Sequence, residues 1–231
     1  EPGPHRVEWE ALRRLLSLGG PAGLQILLEV GVFAAATALA GRLAPAALAA
    51  HQIAMNLWAF VFMVPLGLNA AGAVRVGQAV GRRDRDGIRR SGWTALALGA
   101  VFTASAAAVF LVAARPLIGA FSQDPTVLAI GPSLLAVAGV CLVFDGTQGI
   151  STGILRGLGE TRIPMVANFA GHWLIGLPLG YAACFWWGWG VQGLWLGLAA
   201  GLTAVGTALL ATWSRRAGAA LADAPHADPG A

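Results

Sequence analysis

The chain has no lysine: its 15 basic residues are all arginine, set against 11 acids for a formal net charge of +4. Charge of either sign is scarce, at 11% of residues, where a soluble domain carries roughly a quarter. Cysteine is nearly missing too. Cys141 and Cys184 lie inside apolar stretches with no CxxC or Cys/His spacing, so they read as buried free thiols rather than a redox pair or a zinc site. Also missing is the apolar–polar alternation of a membrane β-barrel. The glycine-rich GTQGISTGILRGLGETR lacks the Gly-Lys-Ser/Thr ending of a P-loop and follows no strand, which leaves ATP hydrolysis without support. The chain opens on Glu1 rather than methionine and shows no signal-peptide pattern, so it is expected to be a piece of something longer.

What fills the chain instead is apolar. Hydrophobic residues make up 57% and mean hydropathy is +0.68, which selects an all-α, polytopic integral membrane protein. Six stretches of about 20 residues, the length that crosses the hydrocarbon core, lie near 20–41, 48–71, 91–114, 128–150, 163–185 and 191–213. Their separators are short and rich in Gly, Pro, Arg and Asp, so neighbouring helices are expected to run antiparallel. Three regions follow: an amphipathic cytoplasmic linker over 1–18, a six-helix transmembrane bundle over 19–213, and a disordered cytoplasmic tail over 214–231.

Alternate loops collect 13 of the 15 arginines on one side, leaving only Arg42 and Arg115 on the other. The positive-inside rule therefore puts both chain ends in the cytoplasm, with the protein in the inner (plasma) membrane. Trp186, Trp187 and Trp189 sit at the outer turn between spans five and six, where an aromatic belt belongs. The run GRRDRDGIRR reads as a solvated loop that fixes topology rather than as a phosphate or nucleic-acid site. No nucleic-acid partner is implied by the basic balance.

Two acids stand well inside apolar spans, Glu29 in GLQILLEVGVF and Asp145 in CLVFDGTQGI. Glu29 lies roughly ten residues into its span, about 15 Å at helical rise, and Asp145 lies inside the last third of its own, with apolar residues on both sides. A carboxylate at that depth costs about 2.5–3.5 kcal/mol on insertion scales, so each must face a cavity or partner groups. Helical spacing gives Asp145 a shared face with Gln148 and Thr152, and Glu29 one with Gln25. Span two offers Gln52 and Asn56 with His51 beside them, and span five offers Asn168 and His172. Turned inward, four such stripes would make one wet pocket at mid-membrane. The amides could equally be interhelical packing glue, and no metal-ligand spacing joins the two histidines. With no lysine or arginine inside a span, the carboxylates suit a proton or an alkali cation rather than a structural ion pair. No organic or metal cofactor is implied. Pro65, Pro178 and the glycines near Gly146 interrupt spans two, five and four, as kinks or as hinges beside a cavity.

The segments PAGLQILLEVGVF, LAAHQIAMNLWAFVFMVPLGLNAAGAVRVGQAVGRRD, FDGTQGISTGILRGLGETRIP, LIGLPLGY and GLWLGLAAGL resemble, in order, the multidrug and toxin extrusion transporters. The likeness covers about residues 19–213 and is closest to the C-terminal lobe of the NorM-like branch. The resemblance implies a non-enzymatic antiporter of twelve helices in two six-helix lobes. Its central cavity opens alternately to either side, exporting organic, often cationic compounds in exchange for sodium ions or protons. It implies that Glu29 and Asp145 belong to the cation-coupling site. Gln25, Gln52, Asn56, Gln148, Thr152, Asn168 and His172 would then line the substrate cavity. A tyrosine one turn before the aspartate is often part of that site, and Cys141 stands there instead. The partners implied are small organic substrates, membrane lipid, and a missing N-terminal six-helix lobe or a second copy. Other readings are a lipid-linked precursor flippase, an intramembrane aspartyl-type protease, for which the acids lack the usual flanking residues, and a non-transporting half-length remnant.

Overall fold

A computed structural model describes residues 9–222, and these are helical apart from short turns. In chain order α1 (Trp9–Ala40), α2 (Pro45–Gly81) and α3 (Arg85–Val112) are followed by the short α4 (Ala114–Gly119) and the long α5 (Pro125–Gly157). Local chemistry sets the starts. Pro45 and Pro125 open their helices where a missing N–H costs nothing, and Asp84 caps α3 by accepting the Gly87 N–H at 2.8 Å. Asp124 caps α5 in the same way through the Thr126 N–H at 2.7 Å.

The next crossing departs from the plain helix expected over 163–185. It is composite: α6 (Arg162–Asn168), a π-helical stretch Phe169–Gly176, α7 (Leu177–Tyr181) and a second π-helical stretch Ala182–Trp186. Pro178 explains part of this. It has no N–H for the carbonyl one turn back, and its ring crowds that carbonyl. The wider turn just before it relieves both, with the Leu177 N–H reaching back five residues to the His172 carbonyl. The last helix, α8 (Gly190–Ala222), completes the bundle. Five unbroken helices, α1, α2, α3, α5 and α8, are thus long and apolar enough to cross a membrane, and the composite segment makes the sixth crossing.

Both ends also differ from the three-region reading. Residues 9–18 are not a separate surface helix but the first turns of α1, which runs unbroken through Gly19, Gly20 and Pro21. Residues 214–222 continue α8 rather than forming a tail. The rest of both regions, residues 1–8 and 223–231, lies outside the described residues.

Helix α5 is the centre of the bundle, packed on α2, α3, α4 and α8. Its approach to α2 runs along Gly149, Gly153 and Gly157, a small-xxx-small stripe. A Cβ at Gly153 would lie 2.3 Å from the Asn69 carbonyl oxygen, and one at Gly157 would lie 2.6 Å from that of Ala73. Asn69 closes the seam by donating its amide to the Gly149 carbonyl. The outer surface is apolar, with Val112 89% and Phe60 81% exposed, as a lipid-facing belt requires.

Candidate functional site

Helix α5 carries the centre of the site because its polar residues fall on positions the bundle encloses. Asp145, Gln148 and Ser151 are fully buried, and Thr152 nearly so. Neither oxygen of Asp145 has a hydrogen-bond partner among the described residues, nor do the Gln148 carbonyl oxygen and the hydroxyls of Ser151 and Thr152. Such groups normally pair when buried. The cluster therefore stands out as a set of oxygen donors without partners inside the protein.

The second carboxylate comes from α1. Glu29 is half-buried and takes the Gln148 amide N–H at 3.5 Å, and it lies close enough to Asp145 for the two charges to interact. Gln25, one turn earlier, and Asn168 from the composite crossing face the same carboxylate. Both amide atoms of Asn168, and both ring nitrogens of His172 beyond it, lack formed hydrogen bonds. The widened backbone of Phe169–Gly176 carries His172 into this region, the kind of local irregularity that membrane helices keep where they line a site. Phe33 joins the two sides, with its ring centroid 6.3 Å from His172 and 4.9 Å from Trp58. No ion pair neutralises either acid. Among the described residues the one ion pair is Arg216 with Glu160 at 3.6 Å, although Arg156, in the last turn of α5, is near enough for its field to reach Glu29.

Glu29 is held in place from behind. The Trp173 indole N–H donates to the carbonyl of Leu28 at 3.0 Å, and the same ring packs over Gly31. This clamp fixes α1 against the composite crossing on either side of the acid. Sequence reading missed Trp173, and also Ser151, which sits one position off the Asp145–Gln148–Thr152 stripe.

Of the expected lining residues, Gln25, Gln148 and Asn168 lie at the Glu29 carboxylate, and Thr152 and His172 face the interior of the bundle with polar atoms unpartnered. Gln52 and Asn56 do not. They sit on the exposed face of α2, pointing out of the bundle, where the Asn56 amide donates to the Gln52 carbonyl at 2.9 Å. One residue is about 100° of helix turn, enough to put His51, Ala54 and Trp58 inside and their polar neighbours outside. His51 is a packing group. Its Nδ1 accepts from the Trp195 indole at 3.0 Å, which leaves the proton on Nε2 to face the Thr37 hydroxyl at 3.0 Å. Cys141 and Cys184 are buried free thiols.

Among the described residues no three His, Cys, Asp or Glu side chains gather as a metal centre. The unpartnered oxygens along α5 belong to carboxylate, amide and hydroxyl groups. Such oxygens suit a hard cation or a proton.

The family described as MatE matches residues 21–182. The chain belongs to the MatE family. It is 40% identical over 215 residues to a probable multidrug resistance protein NorM of Brucella suis biovar 1, covering 91% of this chain and 46% of that one. A probable NorM protein of Mesorhizobium japonicum is 41% identical over 216 residues, with the same coverage of 91% and 46%. Among solved structures, the Vibrio cholerae MATE transporter VcmN in its bent form superposes with a TM-score of 0.83 at 21% identity, covering 94% of this chain and 49% of that one. This MatE chain is therefore a multi-pass membrane protein of a multidrug efflux transporter family, a family of transporters rather than enzymes. Its bundle is one lobe of that architecture, and the chain spans about half the length of the curated relatives it matches.

Proposed function

We propose that this chain is the C-terminal lobe of a secondary active antiporter that exports organic, often cationic compounds in exchange for sodium ions or protons. The observation that carries this reading is Asp145: fully buried, with both oxygens unpartnered, beside a second carboxylate. A charge so placed costs stability unless something binds to it. Taking up a sodium ion or a proton at Asp145 and Glu29 removes that cost in the state where the ion has access. Gln148, Thr152 and Asn168 supply further oxygens, and their amide and hydroxyl groups can turn to follow the charge. Neutralising the pair also weakens its hold on a cationic substrate, so ion entry and drug release compete.

The energetics suffice. One elementary charge falling through 100 mV is worth about 2.3 kcal/mol, a factor of roughly 50 in substrate gradient. Alternating access needs a second unit to rock against. That unit is an N-terminal six-helix lobe or, failing it, a second copy of this chain about an axis along the membrane normal. Gln52 and Asn56 support this, because exposed amides within a span are costly against lipid and belong against water or protein. Their face of α2 is assigned to the central cavity. The arginine asymmetry supports the inner membrane with both ends in the cytoplasm.

The test is transport by the complete protein in proteoliposomes. Export driven by a sodium gradient or a proton gradient should be present in the parent and absent in Asp145→Asn and Glu29→Gln. Normal ion-driven export by Asp145→Asn would remove the role given to that residue.

A further inference from the structure

At the arginine-rich end of the bundle, between α2 and α3, lies a pocket of about 570 Å³ that the carboxylate site does not use. Its lining is graded along both helices. From α2 and its C-cap come Arg82, then Arg75 two turns deeper into the chain's apolar stretch, then Gly72 and Leu68. From the antiparallel α3 come Arg90, then Ser91 and Thr94, then Leu98. The two walls therefore agree in sense: guanidinium groups at the water end, hydroxyls below them, aliphatic side chains at the lipid end.

The charge is not spent inside the protein. None of Arg75, Arg82 and Arg90 has an ion-pair partner among the described residues. The single acid in the wall, Asp84, uses its carboxylate to cap α3 through the Gly87 N–H. Sequence reading gave the loop arginines a topological role only. The fold adds what the loop by itself does not have, a wall with arginines from two helices and an aliphatic end formed by Leu68 and Leu98.

From this we infer that the pocket binds the headgroup of an anionic phospholipid. The phosphate sits between Arg75 and Arg90, the glycerol region meets Ser91 and Thr94, and an acyl chain runs along Leu68 and Leu98. A guanidinium offers a phosphate two parallel N–H donors, which favours arginine over a point charge. Basic pockets between transmembrane helices are the expected seat for such headgroups. A free phosphate would satisfy the arginines but leave the aliphatic end without an occupant. The assignment does not depend on the transport reading.

The experiment uses the full chain in detergent, titrated with phosphatidylglycerol, with phosphatidylcholine of the same acyl chains, and with inorganic phosphate, and read by native mass spectrometry. Phosphatidylglycerol should bind at least about tenfold more tightly than phosphatidylcholine. That preference should vanish in R75Q/R90Q and persist in R83Q/R89Q, which makes the same change in net charge at exposed arginines outside the pocket. Thr94→Phe is the second probe. It keeps every arginine, sits at an exposed position and fills the passage to the aliphatic end, so it should also abolish the preference. It keeps the inference testable if the double variant does not fold. Equal loss in R83Q/R89Q would overturn the site in favour of general surface charge. Equal binding of the zwitterionic lipid, or displacement by inorganic phosphate at matched concentration, would overturn it in favour of apolar adsorption or a soluble anion.

Discussion

His51 and Asp145 are both fully buried polar groups in apolar helices, and the bundle treats them in opposite ways. His51 is satisfied at both ring nitrogens, by Trp195 from α8 and Thr37 from α1. Asp145 is satisfied at neither oxygen. The first arrangement ties three helices together and leaves nothing for a ligand. The second spends stability on a group that the protein does not itself complete. Burial and an apolar neighbourhood are shared, so neither separates a structural polar group from a functional one. Whether the fold supplies the partners does separate them.

The comparison breaks if substitution of the two residues gives the same outcome. The largest effect is expected at Asp145. In the complete transporter Asp145→Asn should lower the ion-driven drug gradient by up to about 50-fold per coupled charge, while its unfolding midpoint in detergent stays level or rises. A midpoint that falls as far as it does for His51→Leu would place Asp145 with the structural groups.

His51→Leu should do the reverse. It strands a buried indole N–H and a half-buried hydroxyl, and should cost about 1–3 kcal/mol in stability, measured by detergent unfolding, with ion dependence of the remaining transport unchanged. A shift from one coupling ion to another in this variant would show that His51 belongs to the site after all.

Glycine substitutions sharpen the contrast on the backbone side. A Cβ at Gly197 would lie 2.1 Å from the Gly180 nitrogen, backbone against backbone, whereas one at Gly67 meets nothing within 4 Å. Gly197→Ala should destabilise by about 1–3 kcal/mol through overpacking, and Gly67→Ala should be neutral or gain up to about 1 kcal/mol from helix propensity. Equal midpoints for the two would mean that α8 and the composite crossing are not seated as closely as described.

Much of this was legible in the sequence because bilayer thickness dictates length and charge is too costly to hide. The long apolar runs marked the crossings, and Glu29 and Asp145 stood out as lone acids. Spacing on α5 placed Gln148 and Thr152 with Asp145. The composite crossing was not legible, because π-helical turns leave an apolar run just as apolar, and Pro178 alone does not distinguish a kink from a widened turn. Continuity of α1 through Gly19, Gly20 and Pro21 was hidden for a related reason: those residues read as a break, yet proline is tolerated within membrane helices. The i,i+4 spacing of Gln52 and Asn56 fixes a shared face but not its direction, so the sequence did not show that this face turns out of the six-helix bundle, away from the carboxylates. The glycine seam of α5 was present as Gly149, Gly153 and Gly157, and it went unread beneath the more conspicuous aspartate.

Trp173 lies between the two kinds of polar group and gives the smallest but most discriminating effect. Its indole N–H is satisfied, like His51, yet what it satisfies is the carbonyl of Leu28, the residue before Glu29. Trp173→Phe keeps most of the ring over Gly31 and removes only the donor, so the stability cost should be about 0.5–1.5 kcal/mol. If the bond merely holds α1 to the composite crossing, transport at saturating ion should be the only property touched, in proportion to folded protein. If it positions Glu29, the ion concentration for half-maximal export should rise while the maximal rate per folded molecule stays near that of the parent. The same rise should then appear in Trp173→Leu and not in Trp195→Phe, which removes an indole donor of similar strength from the His51 cluster. A rise in both would mean that loosening any interhelical bond shifts ion affinity, and the division between structural and functional polar groups would have to be drawn across the whole bundle rather than residue by residue.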